Sequence, residues 1–149
     1  MKVLSKSRFK LGLSCPNKLF FSGNNSFKNN EDDNSFLESL AEGGFQVEAL
    51  SRQLYSGGHF IDAPYGSYQK AFNQTRNLLK EDEVIIYEAA FLYDGLFVMT
   101  DILIKKGDQI KLIEVKAKSF DSTKKDTFIG VRNNIRSSWR PYLFDIAFQ

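Results

Sequence analysis

The stretch Glu88-Ala-Ala-Phe-Leu-Tyr-Asp94-Gly95-Leu-Phe-Val-Met-Thr-Asp101-Ile-Leu-Ile-Lys-Lys-Gly107-Asp108-Gln-Ile-Lys-Leu-Ile-Glu114-Val-Lys116 decides how this chain folds. It reads as three strands joined by two tight turns. Asp94-Gly95 suits a two-residue type I′ hairpin, and Gly107-Asp108 suits a type II′ one. Loops of that length pair Tyr93 with Leu96 and Lys106 with Gln109. Counting back from those pairs sets Glu88 opposite Asp101, and Asp101 opposite Glu114, on one face of the sheet. Lys116 follows on the same face. Like charges opposed at about 5 Å destabilise a sheet unless something positive lies between them. A divalent metal ion is the economical explanation, so the row reads as an active site.

The same register pairs Leu103 with Leu112 on the carboxylate face, and Ile102 with Ile113 and Thr100 with Val115 on the reverse face. Apolar residues on both faces indicate a central sheet covered by helices on each side. A hairpin slipped by one residue would send one carboxylate to the opposite face, so the length of the Lys106–Gln109 loop is decisive. The expected strands are 84–93, 96–106 and 109–118.

Working outward, Ser5 is a candidate N-cap for a short helix ending near Gly12, and Pro16 starts an apolar helical segment. Residues 22–34 are rich in Asn, Ser and acid and read as an exposed loop. Phe36, Leu37 and Leu40 begin an amphipathic helix that Gly43-Gly44 is expected to interrupt or end. Val47, Leu50 and Leu54 mark a second helical stretch from Phe45 to Tyr55. A turn-rich connection follows, with a short strand at His59–Asp62, and then a helix over 67–80. Beyond the meander, residues 119–126 are a polar loop, and 128–136 carry no clear pattern. Residues 139–149 read as a helix with Pro141 in its first turn. It stops inside an apolar pattern, which suggests a fragment of a longer protein or a helix completed elsewhere. The order of helices, antiparallel meander and helix gives a mixed α/β (α+β) class.

With 149 residues, the chain is expected to form a single domain with a sizeable core. It contains no run of eighteen apolar residues, so no membrane span or membrane partner is expected. The basic N-terminus lacks the apolar segment of a secretion signal. Cys15, the one cysteine, excludes an internal disulfide and fits a cytoplasmic location; its own reading is a small buried apolar residue. Residues 1–30 hold six basic and no acidic side chains, residues 31–104 four basic and thirteen acidic, and residues 105–149 ten basic and five acidic. An acidic middle between basic ends suits a metal site flanked by surfaces that attract phosphate, and equally suits a solvated surface.

Oxygen-only ligands select hard ions such as Mg²⁺ or Mn²⁺, and no Cys/His cluster for zinc is present. Lys116, beside Glu114, could orient an attacking water or stabilise charge developing on a phosphoryl group. Together these residues are a toolkit for phosphodiester hydrolysis. Asp101, followed across a hairpin by Glu114-Val115-Lys116, resembles the D…(D/E)xK signature of the PD-(D/E)XK nuclease superfamily. The flanking Glu88-Ala-Ala-Phe, Leu112-Ile-Glu-Val-Lys-Ala, the opening Leu4-Ser-Lys-Ser with Cys15-Pro16, and Gly44-Phe-Gln-Val-Glu48 are similar to its RecB-like exonuclease branch.

That resemblance implies a restriction-endonuclease-like core, with the three-stranded meander inside a central mixed sheet flanked by helices. It implies that Asp101 and Glu114 are metal ligands, that Lys116 is the catalytic lysine, and that Glu48 is a further ligand from an early helix. Gln149 matches a glutamine that relatives carry on a helix after the sheet, whereas the tyrosine four residues beyond it has no counterpart here. Some relatives hold an iron–sulfur cluster through four cysteines; Cys15 alone implies none in this chain. Glu88 reads as a ligand, as a carboxylate behind the ligands, or as an acid at the sheet edge. Lys118, Arg132, Arg136 and Arg140 are candidate phosphate contacts. His59, the single histidine, sits in a turn-rich loop and reads as incidental. Trp139 and the phenylalanines read as core.

The expected activity is metal-dependent DNA hydrolysis, with a further domain or partner protein completing the C-terminal side. Two alternatives stand beside it: a catalytically inactive nucleic-acid-binding or assembly module of the same fold, and a phosphohydrolase acting on small substrates.

Overall fold

The computed structural model describes residues 3–22, 24, 26, 27, 35–124 and 127–149, and for 35–40 the backbone alone. In chain order the elements are β1 (Leu4–Ser5), α1 (Lys6–Ser14), α2 (Pro16–Phe21), α3 (Ser35–Leu54), β2 (His59–Phe60), α4 (Tyr68–Leu78), β3 (Glu83–Tyr93), β4 (Leu96–Lys106), β5 (Gln109–Ile113) and α5 (Arg140–Phe148), the last preceded by a 3₁₀ turn, Ser137–Trp139. The fold is mixed α+β: a central mixed sheet of five strands flanked by helices.

Turn chemistry sets the register. Asp94 and Gly95 have φ of 44° and 76°, the doubly positive geometry of a type I′ turn. Gly107 has φ 55°, as the first loop position of a type II′ turn requires. The pairs that follow are Tyr93↔Leu96, Lys106↔Gln109, Leu103↔Leu112 and Ile102↔Ile113, the register expected from the sequence. Both sheet faces are covered: Ile86 and Leu103 on one and Ala89 and Ile102 on the other are completely buried. Helix α4 docks through buried Ala71 and Thr75. The Thr75 hydroxyl accepts the Ala90 N–H at 2.8 Å, a strand donor that β2 is too short to reach.

The edge of β4 away from β3 is shared by two strands. β1 lies parallel to its start, with Leu4↔Leu96 and Ser5↔Phe97, and β5 lies antiparallel to its end, with Ile102↔Ile113 nearest the middle. By these registers the carboxyl ends of β1 and β5 run toward each other. Between them, residues 98–101 of β4 have no strand on that side among the described residues. A split in a sheet where strand ends converge is where such folds form crevices. Asp101 sits at its inner corner.

Four expectations are corrected. β5 ends at Ile113, not near 118, because the Asp101 carboxylate takes the Val115 N–H that would have continued the ladder. α3 runs unbroken through Gly43 and Gly44; glycine weakens a helix by about 1 kcal/mol relative to alanine without having to stop it. α1 continues past Gly12 to Ser14. Cys15 is only half-buried, at the junction of α1 and α2. Ser5 does cap α1, accepting the Arg8 N–H at 3.4 Å. The expected loop at 22–34 falls largely outside the described residues, as do positions 125 and 126 of the 119–126 loop. Residues 129–135 form a turn closed by an antiparallel Ile129↔Ile135 bridge.

Candidate active site

Four elements supply the split. β4 carries Asp101, the segment leaving β5 carries Glu114 and Lys116, α1 begins with Lys6, and Gln149 follows α5. α1 and α5 are held together by stacking of Phe9 on Phe148, with ring centroids 4.9 Å apart.

Glu114 is the hub. Lys6 Nζ lies 3.0 Å from its Oε1 and 3.3 Å from its Oε2. Lys116 Nζ donates to Oε1 and Gln149 Nε2 to Oε2. Burial would raise the Glu114 pKa, but the hydrogen bonds from Lys116, Gln149 and Lys6 outweigh it and hold the carboxyl below its ordinary value. Burial likewise opposes the charge on Lys116, and contact with Glu114, helped by Asp101 and Asp145, raises its pKa instead. Asp101 is pushed upward by burial and by the Glu114 charge, despite the Val115 N–H that it accepts.

A second carboxyl pair lies beside this group. Glu88 and Asp101 stand opposite each other in register, between the pairs Tyr87↔Ile102 and Ala89↔Thr100, but the ladder is interrupted there. Glu88 has φ 57°, a left-handed backbone that costs a side chain of this kind roughly 1–3 kcal/mol. Neighbouring residues on a regular strand point to opposite faces. Here Tyr87 and Glu88 both reach α3: Tyr87 Oη donates to the Arg52 carbonyl at 3.3 Å and to the Tyr55 carbonyl just past the helix end, and Glu88 hydrogen-bonds the Glu48 carboxyl.

Two carboxyl groups can share a hydrogen bond only with a proton between them. Burial, the Glu48 hydrogen bond and the charges of Glu48 and Asp101, partly offset by Arg52, push Glu88 up to about 8. Arg52 also pairs directly with Glu48 one helical turn away. The α3 end that presents Glu48 is fixed by Tyr87, whose hydroxyl accepts the Gly58 N–H at 3.1 Å. Gly58 permits this approach, since a Cβ there would lie 2.4 Å from Tyr87 Cζ.

The expected site residues thus fall into two connected groups. Asp101, Glu114, Lys116 and Gln149 meet in the split, and Glu48 meets Glu88, which is linked electrostatically to Asp101. Among the described residues no three His, Cys, Asp or Glu side chains are gathered as a metal-ligand group. Of the expected phosphate contacts, Arg132 and Arg136 are exposed on the segment before α5, and Arg140 is exposed at its first residue. Lys118 instead lies over the rings of Trp139 and Tyr142, at 4.7 and 5.2 Å. Trp139 packs with Phe120, Phe128 and Tyr142 and donates Nε1–H to the Thr127 carbonyl at 2.7 Å. His59 lies on exposed β2, paired with Ile86 of β3.

Lys6, Lys10, Arg52 and Asp145 were not singled out by the sequence reading. Lys6 and Lys10 had a signal, being one helical turn apart on a helix with no acid of its own. Asp145 had a stronger one: a lone acid inside the apolar run Tyr142-Leu-Phe-Asp145-Ile-Ala-Phe requires a buried partner.

Comparison with protein-family models, with curated proteins and with solved structures finds no match to this chain. No helix among the described residues is long and apolar enough to cross a membrane.

Proposed function

We propose that the chain is a metal-dependent nuclease domain of the PD-(D/E)XK type, with a restriction-endonuclease-like core and DNA as its substrate. The observation that carries the reading is the meeting of Asp101, Glu114 and Lys116 at the split where β1 and β5 converge on β4. The donor set fits a hard divalent cation. It is all oxygen, and burial beside the charges of Glu48 and Asp101 raises the Glu88 carboxyl, the electrostatics of a cluster that favours a positive partner.

Asp101 and Glu114 would hold Mg²⁺ or Mn²⁺, with Glu88 and Glu48 reaching it directly or through water. Bound there, the ion supplies charge neutralisation at a phosphoryl oxygen and a more acidic water. Lys116, kept charged by its neighbours, orients the nucleophilic water and faces the charge that develops on phosphorus. Lys6 adds a second cation at the same point, and Gln149 fixes the orientation of Glu114. Arg132, Arg136 and Arg140 offer exposed charge to the polynucleotide backbone.

A second reading is favoured by a specific observation: both oxygens of Glu114 are already met by protein donors. A carboxylate so satisfied also suits a nucleic-acid-binding or assembly module that does not hydrolyse its ligand. The discriminating experiment is cleavage of labelled single- and double-stranded DNA with Mg²⁺ or Mn²⁺, comparing the native chain with Lys116→Ala and Asp101→Asn. Metal-dependent cleavage lost in both variants supports the nuclease; cleavage untouched by both removes this site from consideration. Salt-sensitive binding without cleavage selects the second reading.

A further inference from the structure

Asp145 on α5 is 1% exposed, the most deeply buried charged side chain among the described residues, and the hydrolysis proposed above does not use it. Burying a carboxylate costs several kcal/mol unless cations accompany it. Two do. Lys10 Nζ lies 3.1 Å from Oδ1 and 3.2 Å from Oδ2, and Lys116 Nζ lies 3.8 Å from Oδ2. Oδ1 is within ion-pair distance of Lys10 yet receives no hydrogen bond of good geometry, so the group keeps acceptor capacity unused.

Lys116 therefore stands between two carboxylates. It is bonded to Glu114 and is just outside hydrogen-bond reach of Asp145. A movement of about 1 Å would turn the longer contact into a charge-assisted hydrogen bond, whose usual length is roughly 2.7–2.9 Å. Each Glu114 oxygen already faces two protein donors, Lys6 and Lys116 at Oε1 and Lys6 and Gln149 at Oε2, so a divalent cation bound there displaces at least one of them. An ammonium released beside such a cation is repelled by it and needs another anion to stay in place.

We propose that Asp145 is a positioning residue that receives the Lys116 ammonium when Glu114 turns to a divalent cation. Through this transfer Lys116 stays in the split, charged and aimed, instead of moving into solvent. Lys10, 43% exposed, yields part of its contact to admit it. The inference rests on the cation reading of Glu114, and its test separates the two.

The test needs no nucleic acid and no turnover. In the uniformly ¹³C/¹⁵N-labelled chain, scalar couplings across hydrogen bonds report which carboxyl carbon partners Lys116 Nζ. Without Mg²⁺ the correlation is expected to Glu114 Cδ. On adding Mg²⁺ the Glu114 Cδ resonance shifts, that correlation disappears, and one to Asp145 Cγ takes its place. In Asp145→Asn the Lys116 ammonium signal is expected without Mg²⁺ and lost with it. A shift at Glu114 with no new correlation to Asp145 in the native chain overturns the transfer and leaves the cation reading standing. No Mg²⁺-dependent shift at Glu114 overturns both. The native-chain arm stands even where Asp145→Asn fails to fold.

Discussion

Replacing Glu88 by glutamine should change how the stability of this protein depends on pH, in a direction and a window fixed by the site. Burial and the adjacent Glu48 carboxyl raise Glu88 from 4.5 to about 8. A carboxyl with a higher value folded than unfolded binds its proton more tightly in the native state. Its contribution is complete below pH 4.5, declines as pH rises and is gone above about pH 8. At about 1.4 kcal/mol for each pH unit between those values, the whole linkage would be roughly 5 kcal/mol. Solvent reaching this half-buried carboxyl screens it, leaving roughly 1–2 kcal/mol.

The assay is urea unfolding of the native chain and Glu88→Gln at several pH values from 5 to about 9, in buffer free of divalent ions. The amide keeps the hydrogen bond to Glu48 and cannot ionise. Groups remote from this site titrate alike in both proteins, so the difference between the curves isolates Glu88 together with the carboxyls coupled to it. Glu88→Gln should match the native chain near pH 5 and exceed it by roughly 1–2 kcal/mol above pH 8. Parallel curves would refute the shared proton and with it the claim that these carboxyls are held in enforced proximity.

Thr75→Val should cost roughly 1–3 kcal/mol in chemical denaturation, because it strands the buried Ala90 N–H whose bond to Thr75 is 2.8 Å. Tyr87→Phe should cost a similar amount, roughly 1–3 kcal/mol, and should also lower the pH sensitivity assigned to Glu88, since the hydroxyl fixes the α3 end that presents Glu48; unchanged pH behaviour would show that α3 is anchored by other means. Gly58→Ala should be as damaging, by roughly 1–3 kcal/mol, because its Cβ would fall 2.4 Å from Tyr87 Cζ. Replacing Arg132, Arg136 and Arg140 by alanine should weaken DNA binding for every sequence alike and lower the salt-dependence slope by about 1 for each phosphate no longer neutralised, as read by fluorescence anisotropy.

The meander was legible because its determinants are local. Asp94-Gly95 and Gly107 fix both turns, and the period-two pattern carries the register from them to Leu103↔Leu112. Where β5 stops was not legible, because a side chain, Asp101, competes with the ladder for the Val115 N–H. The left-handed backbone at Glu88 was hidden for a related reason. The expected register set Glu88 against Asp101, and the ladder is interrupted there, with Glu88 hydrogen-bonded to Glu48 on α3.

Asp101, Glu114 and Lys116 were found from spacing along two adjacent strands. Lys6, Lys10 and Asp145 join them only through the packing of α1 on α5 and the arrival of β1 beside β4. Those contacts span more than a hundred residues, as the Lys6–Glu114 pair shows. Gln149 and Glu48 were identified by resemblance; one reaches Glu114 and the other reaches Glu88.

The most direct measurement is anomalous diffraction from a crystal of this chain soaked in Mn²⁺. The expected result is a peak between the Asp101 and Glu114 carboxylates, with Lys6 and Lys116 withdrawn from Glu114. A map with no peak in the split, and both lysines still on Glu114, would contradict a metal-dependent site here.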